Sequence, residues 1–198
     1  MSFSREERIR HIHDLAKECA KLRHEVAEIL HGDIIDLASQ MSAVIGAGAK
    51  ILVCGNGGSA ADSSHLVGEL VVRLSAERSR TALPAISLSA DSTVLTAVGN
   101  DFGFEKIFSR QVEALGLKGD MLLALSTSGK SVNLLSAVAA AKKKSMLTAA
   151  LLGADGGDLV NAVERSIVIP SDSVQRIQEE QKFIIHLLVE LVESDLFG

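Results

Sequence analysis

Five short apolar runs alternating with helical patterns constrain this chain more than any other feature. The runs are Lys50–Cys54, Pro84–Leu88, Asp120–Leu125, Met146–Leu152 and Ser166–Ile169. Strands that are apolar at nearly every position are buried on both faces, as in a parallel sheet. Helical patterns fill the gaps at about 59–74, 91–99, 131–144 and 156–164, spans read by apolar periodicity. Strands that alternate with helices predict an α/β three-layer sandwich, a parallel sheet with helices on both faces. Ahead of the first run, residues 5–31 carry Ile9, Ile12, Leu15, Ala16, Cys19, Leu22, Val26, Ile29 and Leu30 at alternating spacings of three and four. This stripe predicts a long amphipathic helix, followed by a second over Ile34–Ile45. A last helix is predicted from about Val174 to Leu196. Residues 1–198 read as one domain, with 1–48 as N-terminal helices packing on the core and on neighbouring subunits.

Composition narrows the function. Hydrophobic residues make up 47% and charged residues 23%, which excludes intrinsic disorder. Six Phe with no Tyr or Trp leave no aromatic platform for stacking bases, and no tyrosine for proton transfer. A net charge of −5 provides no basic face, so no nucleic acid partner is expected. No apolar run approaches the roughly 18–20 residues that cross a bilayer, so no membrane partner is expected. The first residues lack the apolar segment of a secretory signal. Cys19 and Cys54 fall in apolar patterns and read as reduced core residues of a cytoplasmic protein.

Two loops on the expected ligand-binding edge of the sheet have the composition of an oxyanion site. Asn56-Gly57-Gly58-Ser59 follows the first run and exposes backbone N–H groups where glycine permits close approach. Ser126-Thr127-Ser128 with Ser131 follows the third and adds hydroxyls at another helix start. Turn chemistry and N-capping would explain either loop alone. Two familiar motifs are excluded. Gly55-x-Gly57-x-x-Ala60 resembles a dinucleotide fingerprint, but the next strand ends near Asp91, too late for its acidic residue. The stretch Ala124–Ser131 has alanine at the first glycine of a Walker A loop, and no partner aspartate follows a strand.

Ionisable residues flank that edge. His65 and Glu69 lie one turn apart on one helix face, as a surface pair or as ligands or proton carriers. His186 stands inside the apolar stretch Phe183–Val189, where a satisfied core histidine is the plain alternative. Gln178 precedes His186 by eight residues, about 12 Å along a helix, so the two side chains meet only by leaning together. His11 and His13 point to opposite faces, and His24 and His31 have no acid or cysteine to frame them. Asn100-Asp101 closes a helical segment. Lys142–Lys144 suits a helix C-terminus.

In order along the chain, Cys54-Gly-Asn-Gly-Gly-Ser-Ala-Ala-Asp62, His65 and Glu69, Val98–Phe104, Phe108–Gln111, Ser126–Ser131, and Arg176-Ile-Gln178 with His186 resemble the sugar isomerase (SIS) domain family, and within it the heptose-phosphate isomerases. The resemblance spans nearly the whole chain. It implies a flavodoxin-like, doubly wound five-stranded parallel sheet with an N-terminal helical extension, assembled as a homotetramer with sites at subunit interfaces. It implies conversion of D-sedoheptulose 7-phosphate to D-glycero-D-manno-heptose 7-phosphate, an early step toward bacterial heptoses of glycans such as lipopolysaccharide. On the family pattern, Ser126, Thr127, Ser128 and Ser131 hold the phosphate, and Asn56, Gly57, Gly58, Asn100, Asp101 and Gln178 contact the substrate. Glu69 and His186 form the acid–base pair, and zinc is held by His65, Glu69, Gln178 and His186. Gln175 stands where some members have an acid. The competing implication is a non-catalytic SIS protein that binds a replication initiator or senses a sugar phosphate; retention of Glu69 and His186 speaks against it.

Overall fold

The computed structural model describes residues 3–77 and 79–198. In chain order these form α1 (Arg5–Gly46), β1 (Ile51–Gly55), α2 (Gly58–Val71), β2 (Ala85–Ser87), α3 (Ser92–Phe102), α4 (Ser109–Leu115), β3 (Met121–Ser126), α5 (Val132–Lys143), β4 (Leu147–Gly153), α6 (Leu159–Ala162), β5 (Arg165–Ile169) and α7 (Val174–Phe197), with a 3₁₀ turn over Phe104–Lys106. The strands lie in the order β2-β1-β3-β4-β5, every neighbouring pair parallel. This is the expected doubly wound three-layer sandwich. The chain winds one way from β1 to β2 and the other way from β3 to β5, so the direction reverses between β1 and β3.

Alternation along the central strands builds two cores. Ile51 and Val53 of β1, Met121, Leu123 and Leu125 of β3, and Ala149 and Leu151 of β4 face a layer made by α1, α2 and α7. Leu52, Cys54, Leu122, Ala124, Ala150 and Leu152 face the opposite layer, where α4, α5 and α6 contribute Val112, Leu134, Ala137, Ala141 and Leu159. Each such leucine or isoleucine contributes roughly 1.5–3 kcal/mol by leaving water. α3 covers this second face only in part, and none of its residues is fully buried.

The N-terminal segment corrects the expectation of two helices. α1 is one helix of 42 residues, about 63 Å long. A Ser4–Glu7 capping box starts it: Glu7 N–H donates to Ser4 Oγ, and Ser4 N–H donates to Glu7 Oε2. Its buried stripe of Leu22, Val26, Leu30, Ile34, Leu37 and Met41 runs unbroken across Gly32. A mid-helix glycine costs about 1 kcal/mol, less than burial of the flanking leucines and isoleucines restores. The first turns of α1, over residues 5–14, stand away from this core, and Ile9 and Ile12 remain exposed.

Three further expectations change. α6 is a single turn rather than a helix over 156–164, because Gly156 and Gly157 adopt positive φ before it. α4 and the 3₁₀ turn fall outside the predicted elements; both are too short to show a clear period. Cys54 is buried in β1, but Cys19 is only half-buried, beside Arg176 and Glu179 on the α1–α7 surface. It is therefore not a core residue.

Asp120 fixes the register that positions everything downstream. It lies just before β3 and is almost fully buried. Its carboxylate accepts from the Lys50 N–H at 3.0 Å, the Lys50 Nζ at 2.5 Å and the Leu117 N–H at 2.8 Å. Burial pushes the carboxyl up, but the Lys50 hydrogen bonds, the Leu117 N–H and the Lys50 charge outweigh it, and the net pKa lies below its ordinary 3.8. A lowered folded-state pKa stabilises fully above the ordinary value, and the stabilisation is lost as pH falls through the lowered one. Asp120→Asn is expected to cost about 1.5–3 kcal/mol in urea unfolding at pH 7. The gap between the variant and the wild type should close as pH falls below 3.8.

Candidate active site

In open parallel sheets, ligands bind beyond the carboxyl ends of the strands where the winding direction reverses. Here that place is the β1–β3 junction. Register pairs Gly55 with Leu125, so the loops that follow Gly55 and Ser126 leave the sheet side by side. They enclose a small pocket of about 70 Å³ lined by Asn56, Ser59, Ser126, Thr127, Ser128, Ser131 and Gln178 over Leu125. A space this size holds a group of several heavy atoms.

Backbone geometry aims the pocket at an anion. α2 starts immediately after Gly57 and α5 immediately after Ser131, so two helix N-termini, each with unpaired N–H groups, converge there. Ser131 makes no side-chain cap bond, which leaves its hydroxyl for a ligand. Ser126 Oγ instead accepts from the Gly129 N–H at 3.0 Å, and Ser128 Oγ from the Lys130 N–H at 3.3 Å, bonds that shape the turn. Gly129 has φ +65°, and a Cβ there would overlap the Gly156 carbonyl, so this turn admits no side chain. Lys130 reaches Asp155 at 3.5 Å on the exposed surface.

Asn133 joins the two loops and was not marked by the sequence reading. Its Nδ2 donates to Asn56 Oδ1 at 2.8 Å, and Asn56 Nδ2 donates back to Asn133 Oδ1 at 3.0 Å. The available signal was a polar residue two positions after Ser131, at the start of an otherwise apolar helix. Asn56 is thereby held rigid at the pocket mouth.

α2 and α7 run side by side in the same direction, and their facing residues form a ladder away from the pocket. At the pocket end Gly58 abuts the Gln178 amide, which a Cβ at this position would displace. One turn on, Lys182 Nζ meets Asp62 Oδ1 at 2.6 Å. Next, His65 Nε2 lies 2.9 Å from His186 Nε2, the rings edge to face with centroids 5.1 Å apart. Glu69 Oε1 follows at 3.7 Å from His65 Nε2. His186 is therefore not an isolated core histidine. Burial, then the nearby Lys182 ammonium, lower the pKa of His65 against the opposing pull of Glu69. With His65 neutral, one ring nitrogen donates and the other accepts across the His–His contact. His65 and Glu69 keep 32% and 20% of their side-chain surface exposed, so this row can meet a ligand. A carboxylate beside a pair of hydrogen-bonded imidazoles can take up, relay and return protons.

The structure brings together Asn56, Gly57, Gly58, Ser126, Thr127, Ser128, Ser131 and Gln178 around the pocket, and His65, Glu69 and His186 in the row beside it. Gln178 stands at the pocket end of the ladder, eight residues before His186. Asn100 and Asp101 lie in the last turn of α3, where Asn100 Nδ2 donates to Asp101 Oδ1 at 2.8 Å. Neither hydrogen-bonds to the pocket or the row. Among the described residues, no three His, Cys, Asp or Glu side chains stand in a metal-holding arrangement. His11, His13, His24 and His31 all sit exposed on α1.

The SIS domain family matches residues 15–153. The phosphoheptose isomerase of Geotalea daltonii is 46% identical over 178 residues, covering 90% of this chain and 92% of the relative. Phosphoheptose isomerase GmhA of Neisseria gonorrhoeae superposes with a TM-score of 0.88 at 36% identity, covering 93% of this chain and 98% of that one. A phosphoheptose isomerase of Francisella tularensis gives 0.87 at 36% identity, covering 94% and 98%. The chain belongs to the SIS domain family and, within it, groups with the phosphoheptose isomerases.

Proposed function

We propose that this chain isomerises D-sedoheptulose 7-phosphate to D-glycero-D-manno-heptose 7-phosphate through an enediol. The observation that carries this reading is the row Glu69–His65–His186 on the flank of an oxyanion pocket built from two helix N-termini. From Gly58 at the pocket to His65 is seven helical residues, about 10 Å. That separation suits a phosphate at one end of a seven-carbon sugar and a reacting carbonyl at the other.

Each residue then has a task. The backbone N–H groups of the two loops, with the hydroxyls of Thr127, Ser128 and Ser131, hold the phosphate. Asn56, braced by Asn133, and Gln178 orient the sugar. Glu69 takes a proton from C1 of the ketose, and the electron pair forms the C1–C2 double bond of the enediol. His186 moves a proton between the C1 and C2 oxygens. Glu69 returns its proton to C2, which leaves the aldose. The non-catalytic alternative gives this row no task.

The donor set also suits zinc. Two imidazole Nε2 atoms converge at 2.9 Å, close to the roughly 3.3 Å between two nitrogens on one tetrahedral zinc, with a carboxylate oxygen next to them. As the side chains stand, no three His or Glu among the described residues form a metal-holding group, so His65, Glu69, His186 and, on the family pattern, Gln178 would have to close around zinc to hold it. When bound, zinc polarises the ketose carbonyl. Assembly through α1 into a tetramer is part of the proposal; its support is that Ile9 and Ile12 on α1 stay exposed, uncovered by the described residues. Asn100 and Asp101 would then approach a site across a subunit boundary. Among the described residues no helix is long and apolar enough to cross a membrane; a cytoplasmic location is part of the proposal.

Glu69→Gln is expected to lower kcat by about 10²–10⁴ with little change in KM; activity retained within a few-fold would overturn the acid–base assignment. Ser131→Ala removes a hydroxyl bond to a dianion, worth about 1.5–3 kcal/mol, and should raise KM about tenfold or more while sparing kcat. Chelation should abolish turnover and zinc should restore it, measured by coupled assay; full activity in the metal-stripped protein would remove zinc from the mechanism. Light scattering at micromolar concentration should give four times the 20.9 kDa chain mass, and a monomer would refute the tetramer.

A further inference from the structure

Among the described residues Arg80 is the most thoroughly engaged cation, and it lies outside the row that carries the chemistry. It belongs to the connection between α2 and β2, yet its side chain is fully buried. Four of its five N–H donors are used. Nε donates to Glu193 Oε1 at 2.6 Å, Nη2 to the Glu69 carbonyl at 2.7 Å, and Nη1 to the Leu70 and Thr81 carbonyls at 2.8 and 3.0 Å. Glu193 is itself buried on α7, and it also accepts from the Leu74 N–H at 3.5 Å.

Two features make this more than a core ion pair. The carbonyls of Glu69 and Leu70 belong to the last turn of α2, where helix carbonyls have no partner within the helix and the end frays. No basic residue of α2 itself occupies that turn, so Arg80 supplies the cation that the helix C-terminus favours. Its second partner, Glu193, stands seven residues after His186 on α7, about two turns further along the same helix. One guanidinium therefore links the backbone of Glu69 to the helix that carries His186. At the other end of the ladder the two helices are joined by Gly58 against Gln178 and by the Asp62–Lys182 pair. Leu70 is buried and its carbonyl also accepts the Leu83 N–H at 3.1 Å, so what Arg80 adds is the bond to the Glu69 carbonyl and the link to α7.

We propose that Arg80, with Glu193, is a positioning residue for the isomerisation: it braces the last turn of α2 against α7 and so sets the distance between Glu69 and His186. This inference rests on the functional reading above. Arg80→Lys keeps a cation for Glu193, but its single nitrogen cannot also span both carbonyls. Sites are counted by calorimetric titration with the heptitol 7-phosphate made by reducing the substrate carbonyl, and turnover is measured on the same samples. The expected result is one site per chain with unchanged affinity, a KM within twofold of wild type, and kcat per counted site at least tenfold lower. A purely structural role would instead lower the site count and the rate together, and that result overturns the proposal, as does a kcat per site within twofold of wild type. If Arg80→Lys fails to fold, Glu193→Gln carries the test. It keeps an acceptor for Nε and loses the charge, and kcat per site should fall at least threefold; an unchanged value overturns the proposal. A wild-type chain that binds the heptitol phosphate but turns over no substrate defeats the functional reading itself, a result distinct from active wild type with an unaffected variant.

Discussion

The chemistry of this protein depends on the side-by-side pairing of β1 and β3. A parallel sheet sends every strand toward the same edge, and a doubly wound order makes its central neighbours the strands where the winding reverses. Two loops far apart in sequence therefore emerge together, and two helices begin where they meet. The pairing is secured at its opposite end by Asp120, which holds the start of β1 through Lys50. The carboxyl ends then carry the glycine turn and the serines into one small pocket. The site depends on register: a slip of one residue would turn every core side chain to the wrong face and separate the loops.

A second constraint is the parallel contact between α2 and α7. Each helix brings one kind of group. α2 begins at the oxyanion pocket and ends at a carboxylate, while α7 supplies an amide, an ammonium and an imidazole at successive turns. Because both helices rise from the same edge, their facing residues meet pair by pair: Gly58 with Gln178, Asp62 with Lys182, His65 with His186. The close approach at Gly58 brings the helix axes near enough for the two imidazoles to touch. A side chain there would displace the Gln178 amide from its place against α2. The Arg80–Glu193 pair closes the far end.

Much of this was legible in the sequence where it rests on local periodicity. Three of the five apolar runs became β1, β3 and β4, which are buried almost throughout and have no polar face to confuse the pattern; the edge strands β2 and β5 are only partly buried and were legible from apolar composition and their place in the alternation. The oxyanion loops could be read because Gly57, Gly58, Gly129 and the serines act through the backbone, which the sequence shows directly. The single helix α1 was misread because Gly32-Asp33 resembles a boundary, whereas the burial stripe on either side stays in phase. Cys19 was misread as core because its apolar pattern is real, but the surface it meets is the polar side of α7. The pairs Asn56–Asn133 and His65–His186 join residues 77 and 121 positions apart, and no spacing rule links them. They became readable only once the helix directions were known. The family resemblance supplied Glu69 and His186 as partners, and the ladder gives the physical reason they belong together.

The most direct test follows the proton. The purified protein is incubated with D-sedoheptulose 7-phosphate in deuterated water, and the product is examined by NMR. Glu69 keeps a fifth of its side-chain surface open, so under the proposed mechanism a proton it takes up would exchange with solvent. The expected result is heptose 7-phosphate with deuterium at C2. An absence of heptose 7-phosphate, or a product that carries no label however long the reaction runs, would contradict an enediol route through this carboxylate.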